Sequence, residues 1–299
     1  MGRIYSMLLV VMAIWGFNLS ALAILVQNID PITLTSIRIF VAGIAVLIMT
    51  GVLGIFRLPT KKEWKTIVII MFFNVVLHHS FLALGLTKTS GVNAGIILGA
   101  APLVTMVLSI VFLKDRMTRL RVFGFMLGFL GIIVTTLANG DGLAGISFGD
   151  GFILLSMLAQ AISFILIGKL NPTFDPRLLT GYMLIVGSCF ILISASVIEG
   201  DLAQMTLLFE PKLLAIFLFS AIVATAFGHM TYNYAITHVG PAETTIFVNL
   251  NTLFAILGTA IFLGETIVGQ HYLGLALIII GVIFGTGTID YLLEKRRTS

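Results

Sequence analysis

The sequence predicts an all-α integral membrane protein in which ten transmembrane helices form two inverted five-helix repeats. Three observations support this prediction: the composition, ten apolar runs of membrane length, and a repeat within the chain. Of the 299 residues, 59% are hydrophobic and only 10% are charged, whereas about a quarter of the residues in a typical soluble protein are charged. Together with a mean hydropathy of +1.12, this composition indicates a protein that lies in a membrane.

Each apolar run is long enough to cross a bilayer as a helix, which takes about 20 residues. We number these runs spans 1 to 10, at residues 4–27, 32–55, 64–86, 92–113, 119–138, 147–168, 178–198, 212–235, 242–263 and 271–292. Segments rich in Pro, Gly, Asn and charged residues separate them, as expected of turns. The chain has one cysteine, Cys189, so a disulfide framework is excluded.

The Lys and Arg residues predict how the chain crosses the membrane, because cytoplasmic loops carry an excess of them. With the N-terminus in the cytoplasm, the outer loops hold only Lys88 and Lys212. The cytoplasmic segments then hold Arg3, Arg57, Lys61, Lys62, Lys65, Lys114, Arg116, Arg119, Arg121, Lys169, Arg177, Lys295, Arg296 and Arg297. We therefore expect a multi-pass protein of the plasma membrane with both termini in the cytoplasm. The net charge of +4 gives no indication of nucleic-acid binding.

The second half of the chain repeats the first. At an offset of 150 residues, Gly124 falls on Gly274 and Gly131 on Gly281; at an offset of 145, the "DP" at 30–31 falls on the "DP" at 175–176. We place the repeats at residues 1–145 and 146–299. Because five spans per repeat is an odd number, the second repeat must enter the membrane upside down. Inverted repeats recur in secondary transporters, whose substrate site lies near the midplane between the halves.

Several stretches carry a resemblance to a known family. Residues 83–134 and 233–285 resemble the paired repeats of the drug/metabolite transporter superfamily, in its ten-span EamA branch, and "IWGFN" (14–18) and "DPITLTSIRIF" (30–40) resemble its first-span Trp-Gly and second-span Arg. The resemblance covers nearly the whole chain. It implies an exporter of metabolites or drugs with a central cavity, lined by spans 1–4 and 6–9 and supported by spans 5 and 10.

Two histidines are the leading candidates for a substrate site. His79 in span 3 falls on His229 in span 8 at the offset of 150, so an inverted repeat can bring both to the shared centre; matching packing positions are the alternative. His78 falls on a glycine, and its direction differs from that of His79 by about 100°. We expect His79 to face the cavity and His78 to pack, with Asn74 one turn earlier as its hydrogen-bond partner.

Other polar residues within the spans are further candidates for substrate binding, and the alternative for each is a hydrogen bond that joins two helices. Trp15 could also stack on an aromatic or cationic solute, and Trp15 and Asn18 fall on Gln160 and Ser163 at the offset of 145. The candidates are Trp15 and Asn18 in span 1, Gln160 in span 6, Tyr232 and Asn233 in span 8, and Asn249 in span 9.

Two charged residues complete the set. Arg38 is the one basic residue well inside a span, and it either extends to the membrane surface or attracts a carboxylate or fixes a gate. Glu243 begins span 9, where an acid is favourable at a helix N-terminus. If transport is coupled to protons, His79, His229 or Glu243 must carry them, since His titrates in the useful range; facilitated export is the alternative.

The sequence favours a secondary transporter over other functions. It contains no HExxH or GxSxG motif, no embedded Asp pair and no P-loop, which argues against an enzyme and against direct use of ATP. We expect no cofactor and no metal. The partners are a small solute, amino-acid-like or amphipathic and aromatic, and the lipid bilayer. A bis-histidine haem electron carrier is the alternative function, and we expect a monomer, with a dimer as the alternative.

Overall fold

We describe the fold from a computed structural model at residues 2–86, 88–89, 91–138, 147–199, 202–264, 267–287 and 289–290, where every regular element is a helix. Within these residues nine helices are long and apolar enough to cross a membrane, and Gly269–Gly285 is a shorter apolar helix. The predicted all-helical membrane fold is therefore confirmed. The predicted end of span 10 and the basic residues Lys295, Arg296 and Arg297 lie outside the described residues.

The observed helices follow the predicted spans closely. Spans 1 to 5 are Gly2–Leu25, Pro31–Val52, Lys61–Leu86, Gly91–Gly99 continued by Ala101–Leu108 and Ser109–Leu113, and Arg119–Ala138. Spans 6 to 10 are Phe148–Gly168, Pro176–Ile198, Pro211–Val239, Pro241–Thr245 continued by Ile246–Val248 and Asn249–Leu263, and Gly269–Gly285. Pro begins four of these spans, a position where its missing N–H is not needed.

Three spans contain a widened π-helical segment, which in span 4 covers Ser109–Leu113. In span 3 it covers Phe72–Leu77, directly before His78, and in span 8 it covers Phe219–Phe227, directly before Gly228. The segments of spans 3 and 8 end at the same position under the offset of 150 residues. A π-segment frees backbone carbonyl groups from the regular ladder, and such segments often lie at functional sites.

Helix packing relates the two halves by a pseudo-two-fold exchange. Span 1 packs against spans 8 and 9, and span 6, its equivalent, packs against spans 3 and 4. Span 2 packs against span 7, and span 5 against span 10. Each of these pairs maps onto itself or onto another pair when the halves are exchanged, which is the packing expected of two inverted repeats.

Glycines show this exchange at atomic contact between spans 5 and 10. A Cβ atom on Gly124 would collide with the backbone of Gly281 and Gly285, and one on Gly131 would collide with the backbone of Gly274. Under the offset of 150 these contacts are equivalent. Small residues let two helix backbones approach closely, so spans 5 and 10 form one tightly joined pair beside the other eight.

Candidate functional site

The π-segment of span 8 fixes the position of Trp15. The indole Nε1–H donates to the carbonyl oxygen of Ala224 at 2.8 Å, within that segment. The indole ring then lies 5.1 Å, between ring centroids, from both His229 and Tyr232. A Cβ atom on Gly228 would overlap Trp15 Nε1, so glycine is required for this approach. Trp15, His229 and Tyr232 therefore form one aromatic cluster between spans 1 and 8.

The equivalent junction between spans 6 and 3 is polar. Asn74 Nδ2 donates to Ser163 Oγ at 2.8 Å, and the Gln160 amide nitrogen lies 3.0 Å from His78 Nε2. Ser156 Oγ lies 2.9 Å from His78 Nδ1 and also donates to the His78 carbonyl oxygen at 2.8 Å. The predicted partner of His78 is wrong, because Asn74 points across to span 6 rather than along its own helix. His78 is nevertheless a buried side chain with its hydrogen bonds made.

His79 and His229 differ from His78 in this respect. Both side chains are partly accessible, and within the described part of the chain neither imidazole has a hydrogen-bond partner. The His79 ring lies 4.7 Å from the His78 ring, and Arg38, His78 and His229 are all within electrostatic range of His79. The two equivalent histidines therefore lie in one neighbourhood, together with the basic residue of span 2.

Arg38 joins this neighbourhood from span 2. Its side chain is 7% exposed, which rules out the expected extension to the membrane surface. Its Nη1–H donates to Thr225 Oγ1 at 2.6 Å, and Thr225 in turn donates to the Ser220 carbonyl oxygen at 2.8 Å. Among the residues that the structure describes, the Nε–H group of Arg38 has no partner. The ion pairs of the described residues join Arg57 to Glu63, Arg121 to Glu243 and Arg177 to Asp175, so Arg38 has no carboxylate beside it.

The remaining candidates divide between the cluster and other contacts. Asn18 is buried in span 1, with its Oδ1 unpaired. Asn233 donates to Thr180 Oγ1 at 2.9 Å and so joins span 8 to span 7. Asn249 lies against Gly128 of span 5 and lines a separate cavity of about 270 Å³ between spans 1, 4, 5 and 9. Asn249 therefore lies at that separate cavity, whereas Asn233, one turn after His229 on span 8, is engaged in a hydrogen bond to span 7.

Glu243 has more specific partners than a helix N-terminus. The Tyr5 hydroxyl donates to one of its carboxylate oxygens, and Arg121 Nη2 lies 3.3 Å from the other. Glu243 lies in the first turn of span 9, as predicted, and these two partners add to the effect of the helix dipole. We refer to the end of the molecule where span 1 begins as the N-side. Glu243 joins spans 1, 5 and 9 there, and neither Tyr5 nor Arg121 was singled out from the sequence.

The opposite end carries an equivalent junction. Asp150 of span 6 accepts from the Thr89 hydroxyl and, at 3.0 Å, from Asn93 Nδ2 of span 4. Tyr5 falls on Asp150 at the offset of 145, and Asn93 falls on Glu243 at the offset of 150. This double correspondence is the sequence signal that could have identified Tyr5. At the N-side the acid is on span 9, whereas at the opposite end it is on span 6. Spans 6 and 4 are the equivalents of spans 1 and 9, so equivalent pairs of helices are joined at the two ends.

A basic cavity of about 250 Å³ opens at the N-side between spans 1, 7 and 8. Arg3, Arg177 and Tyr234 line it, together with Phe227 and Met230, which flank Gly228 and His229 in the chain. Arg177 also pairs with Asp175 at 2.7 Å and lies over the Tyr234 ring. Among the described residues no three His, Cys, Asp or Glu side chains lie close enough to hold a metal ion.

Comparison with known proteins adds a family to this geometry. The sequence pattern of the EamA-like transporter family matches residues 2–137 and 147–286. An uncharacterized transporter of Archaeoglobus fulgidus is 25% identical over 277 residues, which cover 90% of this chain and 93% of that protein. The uncharacterized transporter YyaM of Bacillus subtilis is 23% identical, over 83% of this chain and 81% of its own length. One solved protein structure shares the fold, with a TM-score of 0.75, 15% identity and 98% of each chain covered.

Proposed function

The chain belongs to the EamA-like transporter family, and on that premise we propose that it exports small metabolites by alternating access through a cavity between its inverted repeats. A membrane transporter is the function of the family, which sets aside the bis-histidine haem carrier. The proposed solutes are amino-acid-like or amphipathic and aromatic. The observation that carries this proposal is the convergence of Trp15 and Arg38 on the π-segment of span 8 that precedes His229, with His79 beside His78 in the equivalent part of span 3.

In this proposal the solute binds within an enlarged cluster, which comprises Trp15, His229 and Tyr232 together with His79 and Arg38. Trp15 supplies the aromatic wall, with the fully buried Tyr232 packed against it. His79 and His229 supply unpartnered ring nitrogens, and Arg38 supplies the charge. Asn18 and Gln160 complete the polar lining from the equivalent positions of spans 1 and 6. We assign Asn233 and Asn249 to helix contacts instead, in keeping with the bonds and neighbours described above.

The equivalent junctions at the two ends support alternating access. The Tyr5–Glu243–Arg121 junction joins spans 1, 5 and 9 at the N-side, and the Asp150–Asn93–Thr89 junction joins spans 6 and 4 at the other end. Opening a path to the cluster from one side requires that side's junction to separate. We propose that the two junctions separate alternately, since their equivalence under the repeat gives both ends the same hinge geometry.

Protons or a solute gradient could drive the cycle. Glu243 is the coupling candidate best placed to change the conformation, because a proton on its carboxylate would remove the charge that Arg121 pairs with. His79 and His229 could instead take up protons beside the solute. Transport in proteoliposomes with and without an imposed pH gradient distinguishes coupled from facilitated export, and a Glu243→Gln variant would lose only the coupled component.

For the position in the cell we propose the plasma membrane, with both termini in the cytoplasm, and repeats at residues 1–145 and 146–299. The excess of Lys and Arg at the N-side supports this orientation. Alkaline phosphatase or a fluorescent protein fused after Ser299 tests it, since the former is active only outside the cytoplasm and the latter fluoresces only inside. An active phosphatase fusion would reverse the proposed orientation.

Uptake and counterflow in proteoliposomes test the site. A screen over amino acids, aromatic cations and polyamines identifies a transported solute, and His79→Ala and His229→Ala are each expected to lower its transport by about 10-fold. His238→Ala is the matched control, because His238 stacks on Tyr234 at the N-side, outside the cluster. If both cluster variants transported every solute as the parent does, the site would be wrong.

A further inference from the structure

The uncompensated charge of Arg38 constrains what the cluster can hold. A buried charge is costly unless an opposite charge and further hydrogen bonds accompany it. Arg38 has one neutral hydrogen-bond partner, Thr225, and an unused Nε–H group. Its equivalent in the second repeat is Met183, so the charge has no role in the shared scaffold that both halves need.

We propose that the site takes organic monoanions, with a carboxylate on Arg38 and an apolar or aromatic body against Trp15. This inference rests on the proposed function and narrows its solute class. A planar guanidinium binds a carboxylate through two parallel hydrogen bonds, and the free Nε–H is available for one of them. The carboxylate neutralises the charge of Arg38, the one Lys, Arg, Asp or Glu side chain that is buried among the described residues.

The same neighbourhood disfavours a cationic group on the solute. The acidic side chains of the described residues lie at the ends of the spans, as Glu243 and Asp150 do, and none contacts the cluster. An ammonium group in the cluster would therefore lie beside Arg38 with no carboxylate to accept it, and like charges repel strongly in a medium of low dielectric constant. For an amino acid, this repulsion would offset part of the favourable binding of its carboxylate to Arg38. An amine has no carboxylate, so only the repulsion would remain.

The basic cavity at the N-side fits this preference. Arg3 and Arg177 line it, and two further lining residues, Phe227 and Met230, flank Gly228 and His229 in the chain. Positive charge around a cleft raises the local concentration of anions. Arg177 is paired with Asp175, so Arg3, which belongs to none of the ion pairs of the described residues, supplies this charge. A path from Arg3 to Arg38 is therefore positive at both ends, as an anion route requires.

Three probes of the same shape test the proposal: 3-phenylpropionate, phenylalanine and 2-phenylethylamine. 3-Phenylpropionate carries a carboxylate, 2-phenylethylamine carries an ammonium group, and phenylalanine carries both. The chain has two tryptophans, Trp15 and Trp64, and Trp64 packs on Tyr182 away from the cluster. A Trp64→Phe protein, purified and reconstituted at full length, thus reports binding through Trp15 fluorescence alone. We expect phenylpropionate to bind more tightly than phenylalanine, and phenylethylamine not to bind.

Substitutions at Arg38 separate a ligand role from a structural one. In the Trp64→Phe protein, Arg38→Met is expected to weaken phenylpropionate binding by roughly 10- to 100-fold, while Arg38→Lys keeps the order of the three probes. Arg38→Met should also unfold at the same temperature as its parent or a higher one, because it removes an unpaired buried charge. Thr225→Val, which removes the hydrogen bond but keeps the charge, is expected to keep the probe order as well. Lys212→Met, a cation at the opposite end, is the control.

The outcomes distinguish this inference from the proposed function. If phenylethylamine or phenylalanine binds as well as phenylpropionate, or Arg38→Met leaves the order unchanged, the inference is overturned and the exporter proposal stands. If a folded protein binds none of the probes and also transports none of the solutes screened above, the proposed solute class fails and takes the inference with it.

Discussion

The junction of spans 1 and 8 and the equivalent junction of spans 6 and 3 solve one packing problem in two ways. Where the first places Trp15 against Gly228, the second places Gln160 against His78. A large aromatic ring opposite a glycine becomes a medium-sized amide opposite an imidazole. Both junctions form directly beside a π-segment. The comparison teaches that the repeat dictates where the helices meet, whereas the side chains at the junction differ between the halves.

The ends of the molecule show the same division. At the N-side Glu243 is paired with a cation, Arg121, whereas at the other end Asp150 accepts from the neutral donors Thr89 and Asn93. The equivalent of Arg121 is His271, whose Nδ1 accepts from the Val268 backbone N–H instead of reaching another helix. Among the described residues an ion pair thus joins two spans at one end only, and Arg38, too, belongs to one half only.

The largest expected effect comes from breaking the Trp15–Gly228 fit. Gly228→His places the side chain of the equivalent position where Trp15 lies, and overpacking of this kind costs about 3 kcal/mol of folding free energy or more. The double variant Trp15→Gln with Gly228→His reproduces the other junction and should recover at least half of that loss. Thermal unfolding in detergent measures both. Equal unfolding temperatures for the single and double variants would refute the proposed equivalence.

The next effect comes from the ionic junction at the N-side. Arg121→Met leaves Glu243 without its cation, and the loss of a charged hydrogen bond costs about 2 kcal/mol. Asn93→Leu, at the other end, removes a hydrogen bond from Asp150 but leaves Thr89 and Ser147 in place, so about 1 kcal/mol is expected. Denaturation in parallel samples gives the ranking. A larger loss for Asn93→Leu would show that the charge adds nothing to this junction.

The sequence predicts the spans well because apolar runs of twenty residues and Pro at helix starts are local properties of the chain. The repeat is equally accessible, because it requires only a comparison of the sequence with itself. The sequence also predicts the equivalence of His79 and His229. It fails at Asn74, whose partner Ser163 lies on another helix, because hydrogen bonds along a helix and across to a neighbour leave the same pattern in the sequence. Tyr5 is missed for a different reason. A tyrosine near a helix end is common, and the role of this one comes from its hydrogen bond to Glu243 on another helix.

A smaller effect separates the adjacent histidines, which the sequence alone cannot rank by stability. His78→Ala leaves Gln160 and Ser156 without the ring nitrogens they contact, a loss of about 1–2 kcal/mol. His79→Ala removes no hydrogen bond to a described residue, so its effect on stability should be below about 0.5 kcal/mol. Chemical denaturation of the two variants checks this contrast. If His79→Ala proved the more damaging, our assignment of His78 to packing and His79 to the cavity would be reversed.

The smallest effect concerns Asp175, whose "DP" sequence is equivalent to that of Asp30. Asp30 exchanges hydrogen bonds with the neutral Gln204, whereas Asp175 pairs with Arg177. Partial burial raises the pKa of Asp175, but hydrogen bonds from the side chain and backbone of Arg177 outweigh this, and the pKa lies below its usual value. A lowered carboxyl pKa contributes stability above the unfolded-state pKa, and that contribution is lost as the pH falls through the folded-state pKa.

Asp175→Asn therefore removes a stability difference that the parent shows between about pH 7 and about pH 3, of at most about 1 kcal/mol because the pair is partly exposed. Unfolding temperatures across that range should fall less steeply in the variant than in the parent. The Arg177→Met variant serves as the control, since it removes the ion pair from the other side but keeps the backbone N–H that donates to Asp175, and should flatten the profile in part. A profile unchanged in both variants would mean that solvent already screens this pair, and that at the N-side only the more buried Arg121–Glu243 pair contributes as an ion pair.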